Sequence, residues 1–123
     1  MTHDDLQREF NTARLKHRVF KAKLRSFLYG SGTDEQPIRD AQVCSFGQWL
    51  LQVGLPQLGH LPAMQQLERV HTAMHATANR LLDLHQAGQA EAAVAGLSEV
   101  DRIAEQMMSL LHIIEENSRR EGR

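Results

Sequence analysis

The sequence predicts an all-α fold, specifically an antiparallel four-helix bundle whose second helix is short. Three long stretches repeat apolar residues at alternating spacings of four and three, as helices that pack along a common seam do. No stretch alternates apolar and polar residues over five positions, so strand signals are absent. The low aromatic content of 5% and the three prolines also favour helices over a β-sandwich. We expect residues 1–123 to form one domain.

The first helix is predicted near the N-terminus. Thr2 or Asp4 could cap its start, and the run Gly30-Ser31-Gly32 is expected to end it. Its buried stripe is predicted to consist of Leu6, Phe10, Ala13, His17, Phe20, Leu24 and Phe27.

The second helix is predicted in a shorter apolar segment from about Asp40 to Val53, a length of about three turns. Pro37 precedes this segment, and Asp40 has the side chain of a helix N-cap. The run Gly54-Leu55-Pro56 is expected to stop the helix because glycine and proline both disfavour its continuation.

The two remaining helices are predicted from longer stripes. Leu61-Pro62 is expected to open the third helix, and Gly88 lies near its end. The stripe of the third helix is Met64, Leu67, His71, Met74, Ala78, Leu81 and His85. The stripe of the last helix is Ala93, Leu97, Val100, Ala104, Met107, Leu111 and Ile114. Four helices with short connections are typical of an up-and-down bundle.

The last helix is apolar over a wider arc than one seam requires. Ile103, Leu110 and Ile113 lie beside the main stripe, and Met107 is followed by Met108. In a small bundle such a helix usually contacts a second partner. We therefore predict a homodimer.

Composition excludes several classes of protein. Fourteen basic and fifteen acidic residues leave a formal charge of -1, which offers no electrostatic footprint for nucleic acid or for an anionic membrane. No apolar run is long enough to span a bilayer, and the N-terminus is unlike a signal peptide. A single cysteine excludes an internal disulfide. We expect a soluble cytoplasmic protein whose thiol stays reduced.

Four residues could together hold a metal ion: His17, Cys44, His71 and His75. His71 and His75 are four positions apart and so project from one helix face. His17 lies within an apolar stripe, where an imidazole without a partner costs a few kcal/mol. Cys44 lies near the start of the short helix, where the helix dipole favours a thiolate. Three nitrogens and one sulfur fill a tetrahedron, which predicts one closed zinc site per chain.

Each of these signals is weak by itself. Paired histidines are common on helix surfaces, buried histidines are often hydrogen-bonded, and a lone cysteine is usually a small buried side chain. The sequence around the cysteine, from Cys44 to Leu50, adds specificity. Gly47 within a helix costs about 1 kcal/mol relative to alanine, which indicates a close approach by another element. Phe46 and Trp49 could form a wall that excludes water from the site. Asp83 and Asp101 could accept hydrogen bonds from ligand histidines, although the sequence does not single them out.

This pattern resembles the chemoreceptor zinc-binding (CZB) domain family, whose motif is a histidine, then Cys-x-Phe-Gly-x-Trp, then His-x-x-x-His. The resemblance covers nearly the whole chain and matches every ligand position. It implies one zinc ion held by His17, Cys44, His71 and His75, and a regulatory role in bacterial signalling. Family members are mostly appended to chemoreceptor signalling domains or to diguanylate cyclases. This chain looks like a free-standing member, so the resemblance implies that such a partner acts in trans or is absent.

Several functions remain open at the level of sequence. The first is a zinc-responsive regulator, and the resemblance implies a second, a redox sensor in which an oxidant such as hypochlorous acid attacks the zinc-bound Cys44 thiolate. A third is a bundle in which zinc is purely structural. A metalloenzyme is not expected, because Glu68 and His71 form a single Glu-x-x-His motif and His-Glu-x-x-His is missing.

Overall fold

We analysed a computed structural model that describes residues 2–30 and 34–121. Within these residues the regular structure is entirely helical, with no strand, so the prediction of an all-α fold is confirmed. The elements are α1 (His3–Leu28), α2 (Gln36–Arg39), α3 (Ser45–Trp49), a π-helical segment (Leu50–Gly54), α4 (Leu55–Leu58), α5 (Pro62–Gln86), α6 (Ala90–Ala95) and α7 (Leu97–Glu121).

Helix α1 begins at a capping box whose N-cap is Thr2, one of the two predicted caps. The Thr2 side chain accepts a hydrogen bond from the Asp5 amide, and the Asp5 carboxylate accepts one from the Thr2 amide. The helix ends at Leu28, and Gly30 has a φ of 83°, a value that favours glycine. Ser31 and Gly32 of the predicted stop lie outside the described residues.

The prediction for the second helix was wrong at both ends. Cys44, not Asp40, is the N-cap of α3. The Asp40 carboxylate instead accepts a hydrogen bond from the Gln42 amide at 2.9 Å, which holds residues 41–43 in a turn. The helix also continues past Gly54, because the Leu55 amide bonds to the Leu50 carbonyl in the wider π pattern. This widening accommodates Pro56, which has no N–H to donate to a carbonyl in the preceding turn.

The region between α1 and the short helix also differs from expectation. Pro37 lies inside a four-residue helix, α2, at a position where its missing N–H has no intrahelical partner to lose. No helix is predicted here from the sequence. The segment matters for function because it leads directly into the turn that precedes Cys44.

The predicted entry to the third helix is confirmed, since Leu61 is the N-cap of α5 and Pro62 its first residue. The predicted last helix is divided into α6 and α7 at Gly96. A Cβ atom at Gly96 would lie 2.2 Å from Cδ2 of Leu81, so glycine allows the junction to pack closely on α5.

Side-chain contacts determine the relative directions of the long helices. The ion pairs Arg14–Glu115 at 2.6 Å and Lys21–Asp101 at 3.1 Å show that α1 and α7 run antiparallel. The ring pairs Phe20–His75 and Phe27–His85 show that α1 and α5 run parallel.

The core is formed by the inward stripes of all these helices. Its largest fully buried side chains are Phe10, Phe46, Leu24, Ile38, Met64, Leu67, Met74, Leu81, Leu82, Met107, Leu111 and Ile114. Part of the wide apolar arc of α7 is used within the chain, because Met107 and Leu110 are buried, whereas Ile113 is 46% exposed. The homodimer stays a prediction. Across the described residues, no helix combines the length and apolar character needed to cross a membrane.

Candidate metal centre

Three of the four residues singled out from the sequence converge in the core. The Sγ atom of Cys44 lies 3.6 Å from Nε2 of His71, which lies 3.1 Å from Nε2 of His75. One ligand atom from each of the three residues lies within 4.8 Å of the others. All three side chains are at most 3% exposed. The short helix and α5 therefore bring two nitrogens and one sulfur to a single point.

These distances fit a tetrahedral zinc site. With zinc–nitrogen bonds of about 2.0–2.1 Å and a zinc–sulfur bond of about 2.3 Å, tetrahedral geometry places two nitrogens about 3.3 Å apart and nitrogen and sulfur about 3.6 Å apart. The observed separations of 3.1 Å and 3.6 Å agree with these values to a few tenths of an ångström. Two of the three donor–donor distances therefore match the edges of a zinc tetrahedron, and all three donor atoms lie within 4.8 Å of one another.

His75 has a defined tautomer. Its Nδ1 atom lies 2.7 Å from the Ile38 carbonyl oxygen, which can only accept, so Nδ1 must carry the hydrogen. In the neutral ring the lone pair is then on Nε2, which faces Nε2 of His71. With its hydrogen on Nε2, His71 donates to this lone pair, and a metal ion bound by both rings would replace that hydrogen.

Cys44 combines the positions of helix cap and candidate ligand. Its Sγ atom accepts a hydrogen bond from the Gly47 amide at 3.4 Å. Burial raises the pKa of the Cys44 thiol, and the amides of Gly47 and Phe46 lower it by less. The expectation that the helix start favours the thiolate therefore holds in direction but is outweighed by burial. A metal ion would supply the missing positive charge.

His17 lies in the core but outside the group of three. It is 2% exposed, and neither ring nitrogen has a hydrogen-bond partner among the described residues. Burial, followed by the charge of Lys21, lowers the pKa of His17 to about 4, so the ring is neutral near pH 7 with a free lone pair. A buried polar atom without a partner is costly, and a metal ion would satisfy one of the two nitrogens. The assignment of all four ligands stays a prediction.

Phe46 and Gly47 form the immediate surroundings of the histidines. The Phe46 ring centroid lies 5.2 Å from that of His71 and 6.0 Å from that of His17. A Cβ atom at Gly47 would lie 1.7 Å from the Ala41 carbonyl oxygen and 3.1 Å from Cε1 of His71. This close approach accounts for a glycine in the helix.

Trp49 lies behind Phe46, with the two ring centroids 6.0 Å apart. Its indole Nε1 donates to the Glu9 carboxylate at 3.2 Å, which joins α3 to α1. Trp49 thus packs against Phe46 and links α3 to α1.

Sequence reasoning missed two contacts of His75. Its hydrogen-bond acceptor is the backbone of Ile38, and its ring packs edge-on against Phe20 with centroids 4.8 Å apart. Backbone acceptors leave no signature in a sequence, although the stripe position of Phe20 gave a hint. Asp83, which had been considered as an acceptor, binds Arg39 instead, and Asp101 binds Lys21.

The fold and the buried Cys/His cluster define the chain as an all-α domain with a candidate metal site. A family model described as the chemoreceptor zinc-binding domain matches residues 17–82, more than half of the chain. The chain belongs to this family. The matched range begins at His17 and includes Cys44, His71 and His75. No curated protein and no solved structure matched the chain.

Proposed function

We propose that the chain is a zinc-responsive regulatory module that binds one zinc ion through Cys44, His71, His75 and His17. The observation that supports this most directly is the convergence of the Cys44, His71 and His75 donors within 4.8 Å of one another, with two of their separations matching edges of a zinc tetrahedron. The buried ring of His17, unpaired within the described part of the chain, offers the fourth donor. Family membership supports zinc over other ions.

Zinc bound to this donor set would supply positive charge that stabilises the Cys44 thiolate. The chain's own residues would orient the ligands and shield the site. The Ile38 carbonyl orients His75, the Gly47 amide faces the sulfur, and the Phe46 ring helps to exclude water. Four protein donors leave no position for an activated water, so we propose a role without enzymatic activity.

Regulation would arise from the way the ligands are distributed over the fold. Cys44 lies at the start of α3, His71 and His75 on α5, and His17 on α1. Binding free energy would therefore become packing free energy between three helices, and occupancy would change how firmly α3 is held. The output would be read by a chemoreceptor or diguanylate cyclase partner, with the chain itself as a homodimer.

Metal analysis tests this proposal. We expect about one zinc ion per chain by mass spectrometry after purification without chelator. Cys44→Ala should lose most of the zinc, whereas His85→Ala should retain it, because His85 is on the same helix but packs against Phe27. Wild-type protein that neither contains zinc nor takes it up when added would rule out the function.

A redox role for the same site is a second candidate, favoured by the position of the chain's one cysteine beside His71. The thiolate and HOCl would give a sulfenic acid and chloride, with sulfur oxidised and chlorine reduced. Loss of the sulfur ligand would then release zinc. Zinc-loaded wild-type protein should release zinc on addition of HOCl in step with oxidation of Cys44, detected by mass spectrometry, and release that occurs without oxidation at Cys44 would exclude the mechanism.

A purely structural zinc ion is the third candidate, and hydrogen exchange separates it from regulation. Under the regulatory proposal, removal of zinc should speed amide exchange in Ser45–Trp49 more than in the α5–α7 interface. Exchange raised equally everywhere would favour a structural role, and exchange that is unchanged throughout the chain would count against both candidates.

A further inference from the structure

Helix α2 is too short to be stable alone and must be held in place by its neighbours. It has four residues, and its N-cap residue Glu35 makes no side-chain capping hydrogen bond, although the Asp34 carboxylate accepts a hydrogen bond from the Gln36 amide at 3.1 Å. Ile38, its one fully buried residue, supplies the carbonyl that orients His75. Whatever holds α2 against α5 therefore also controls a ligand of the candidate metal site.

Four residues of α5 face α2 in one row. His75, Asn79, Asp83 and Gln86 are spaced by four, four and three positions, so they share one helix face. His75 contacts the Ile38 carbonyl, and the other three contact Arg39, the next residue along the chain.

Arg39 is fixed at both its backbone and its side chain. Its carbonyl accepts a hydrogen bond from Nδ2 of Asn79 at 3.1 Å. Its guanidinium donates to the Asp83 carboxylate at 2.7 Å, to the Gln86 amide oxygen at 3.1 Å and to the Glu35 carboxylate at 3.3 Å. We refer to Arg39 with Asn79, Asp83, Gln86 and Glu35 as the Arg39 clamp.

The Arg39 clamp acts on the site through one peptide unit. The Ile38 carbonyl belongs to the peptide bond that joins Ile38 to Arg39, so the direction of that carbonyl follows the orientation of Arg39. The same segment continues to Cys44, whose amide donates to the Asp40 carbonyl at 3.1 Å. The positions of two candidate ligands, His75 and Cys44, therefore depend on the position of α2.

We propose that Arg39 and Asn79 are positioning residues that set the tautomer of His75, and with it the affinity for zinc, through the Ile38 carbonyl. This inference rests on the proposed zinc-binding function. Residues that orient a ligand histidine typically alter metal affinity by about 10- to 100-fold when mutated. Exposed ion pairs contribute little to global stability, so the clamp is expected to act mainly on the site.

The test compares two arginines whose ion pairs join α5 to a neighbouring helix. Arg39→Gln removes the guanidinium of the clamp. Arg80→Gln makes the same change in an ion pair of 2.6 Å that joins α5 to Glu99 of α7 and involves no contact of the clamp. We would measure zinc affinity by competition with a chromophoric chelator. Nitrogen-15 NMR of the metal-free chain would report which His75 nitrogen carries the hydrogen.

In Arg39→Gln we expect affinity to fall by about tenfold or more and the Nδ1–H tautomer to lose its dominance, while Arg80→Gln matches wild type. Asp83→Asn, a milder change, should weaken affinity less and replaces Arg39→Gln if that variant does not fold. Unchanged affinity and tautomer in Arg39→Gln would overturn the inference, as would an equal loss in Arg80→Gln. Wild-type protein without zinc affinity would refute the proposed function, and the tautomer measurement would still test the positioning role.

Discussion

His75 and His17 are both buried near the candidate centre, but their surroundings differ. His75 donates through Nδ1 to the Ile38 carbonyl and packs edge-on against Phe20, so its ring has one defined tautomer and orientation. His17 has two ring nitrogens without a partner among the residues that the structure covers. The α2–α5 side of the site is therefore organised by the protein itself. On the α1 side, a bound metal ion would provide the partner that a ring nitrogen of His17 lacks among the described residues.

With His17 as the proposed fourth ligand, the two sides of the site would have different roles. Cys44, His71 and His75 form what we call the preformed half, whose donor atoms already lie within 4.8 Å of one another. In the metal-free chain, burial of the His17 ring nitrogens without a partner costs free energy, and a bound metal ion would remove this cost for one of them. Such a ligand couples the packing of α1 to occupancy more strongly than it defines the shape of the site.

The largest expected effect comes from removing a donor of the preformed half. Because structural zinc binding is worth about 10–16 kcal/mol over four ligands, Cys44→Ala or His71→Ala should lower affinity by roughly 4 kcal/mol, or about a thousandfold. His17→Ala should lower it less, since the other three donors keep their geometry. Chelator competition gives the affinities. Equal losses for all three variants would contradict the division between the two halves.

A smaller but still large effect is expected at Gly47. Alanine there would place Cβ 1.7 Å from the Ala41 carbonyl oxygen, so the backbone before Cys44 must move. We expect Gly47→Ala to lower the free energy of unfolding of the metal-free chain by about 3 kcal/mol, measured by urea denaturation. Ser45→Ala, in the same turn, serves as the matched control and should differ little from wild type. If Gly47→Ala were as stable as wild type, the preformed half would tolerate displacement of the backbone before Cys44.

The two histidines should respond in opposite directions when changed to leucine. His17→Leu removes unpaired buried nitrogens and should stabilise the metal-free chain by about 1–3 kcal/mol. His75→Leu leaves the buried Ile38 carbonyl without its donor and should destabilise the chain by a similar amount. Thermal unfolding with chelator present measures both. If the two variants shift the midpoint in the same direction, the proposed difference between the halves is wrong.

The smallest effect is expected at the far end of α1. Thr2→Ala removes the N-cap of the helix that carries His17 and should cost about 1 kcal/mol of stability, measured by urea denaturation. Zinc affinity should not change, because the cap lies fifteen positions from His17 in the sequence. A loss of zinc affinity in this variant would show that fraying at the start of α1 extends to the site.

Sequence patterns predicted the long helices well because their signals are periodic. The stripes that contain His17 and His71 both became buried faces, and the spacing of His71 and His75 placed both on the same face of α5. Side chains four positions apart meet on any helix, so this part of the site follows from local geometry.

The sequence was less informative where structure depends on contacts between distant segments. Nothing near Asp40 indicated that its carboxylate would form a turn and leave Cys44 as the cap. The role of Arg39 depends on Asp83, forty-four positions away, and that of His75 on a backbone oxygen. A periodic pattern carries no information about such pairings, because they are decided by how α2 packs on α5.

The position of Trp49 has a practical consequence. It is the single tryptophan of the chain, so tryptophan fluorescence comes from one indole whose ring packs on Phe46, itself in contact with His71. The chain therefore contains a built-in optical probe next to the proposed binding site. Emission spectra recorded during a titration could follow events there without an attached dye.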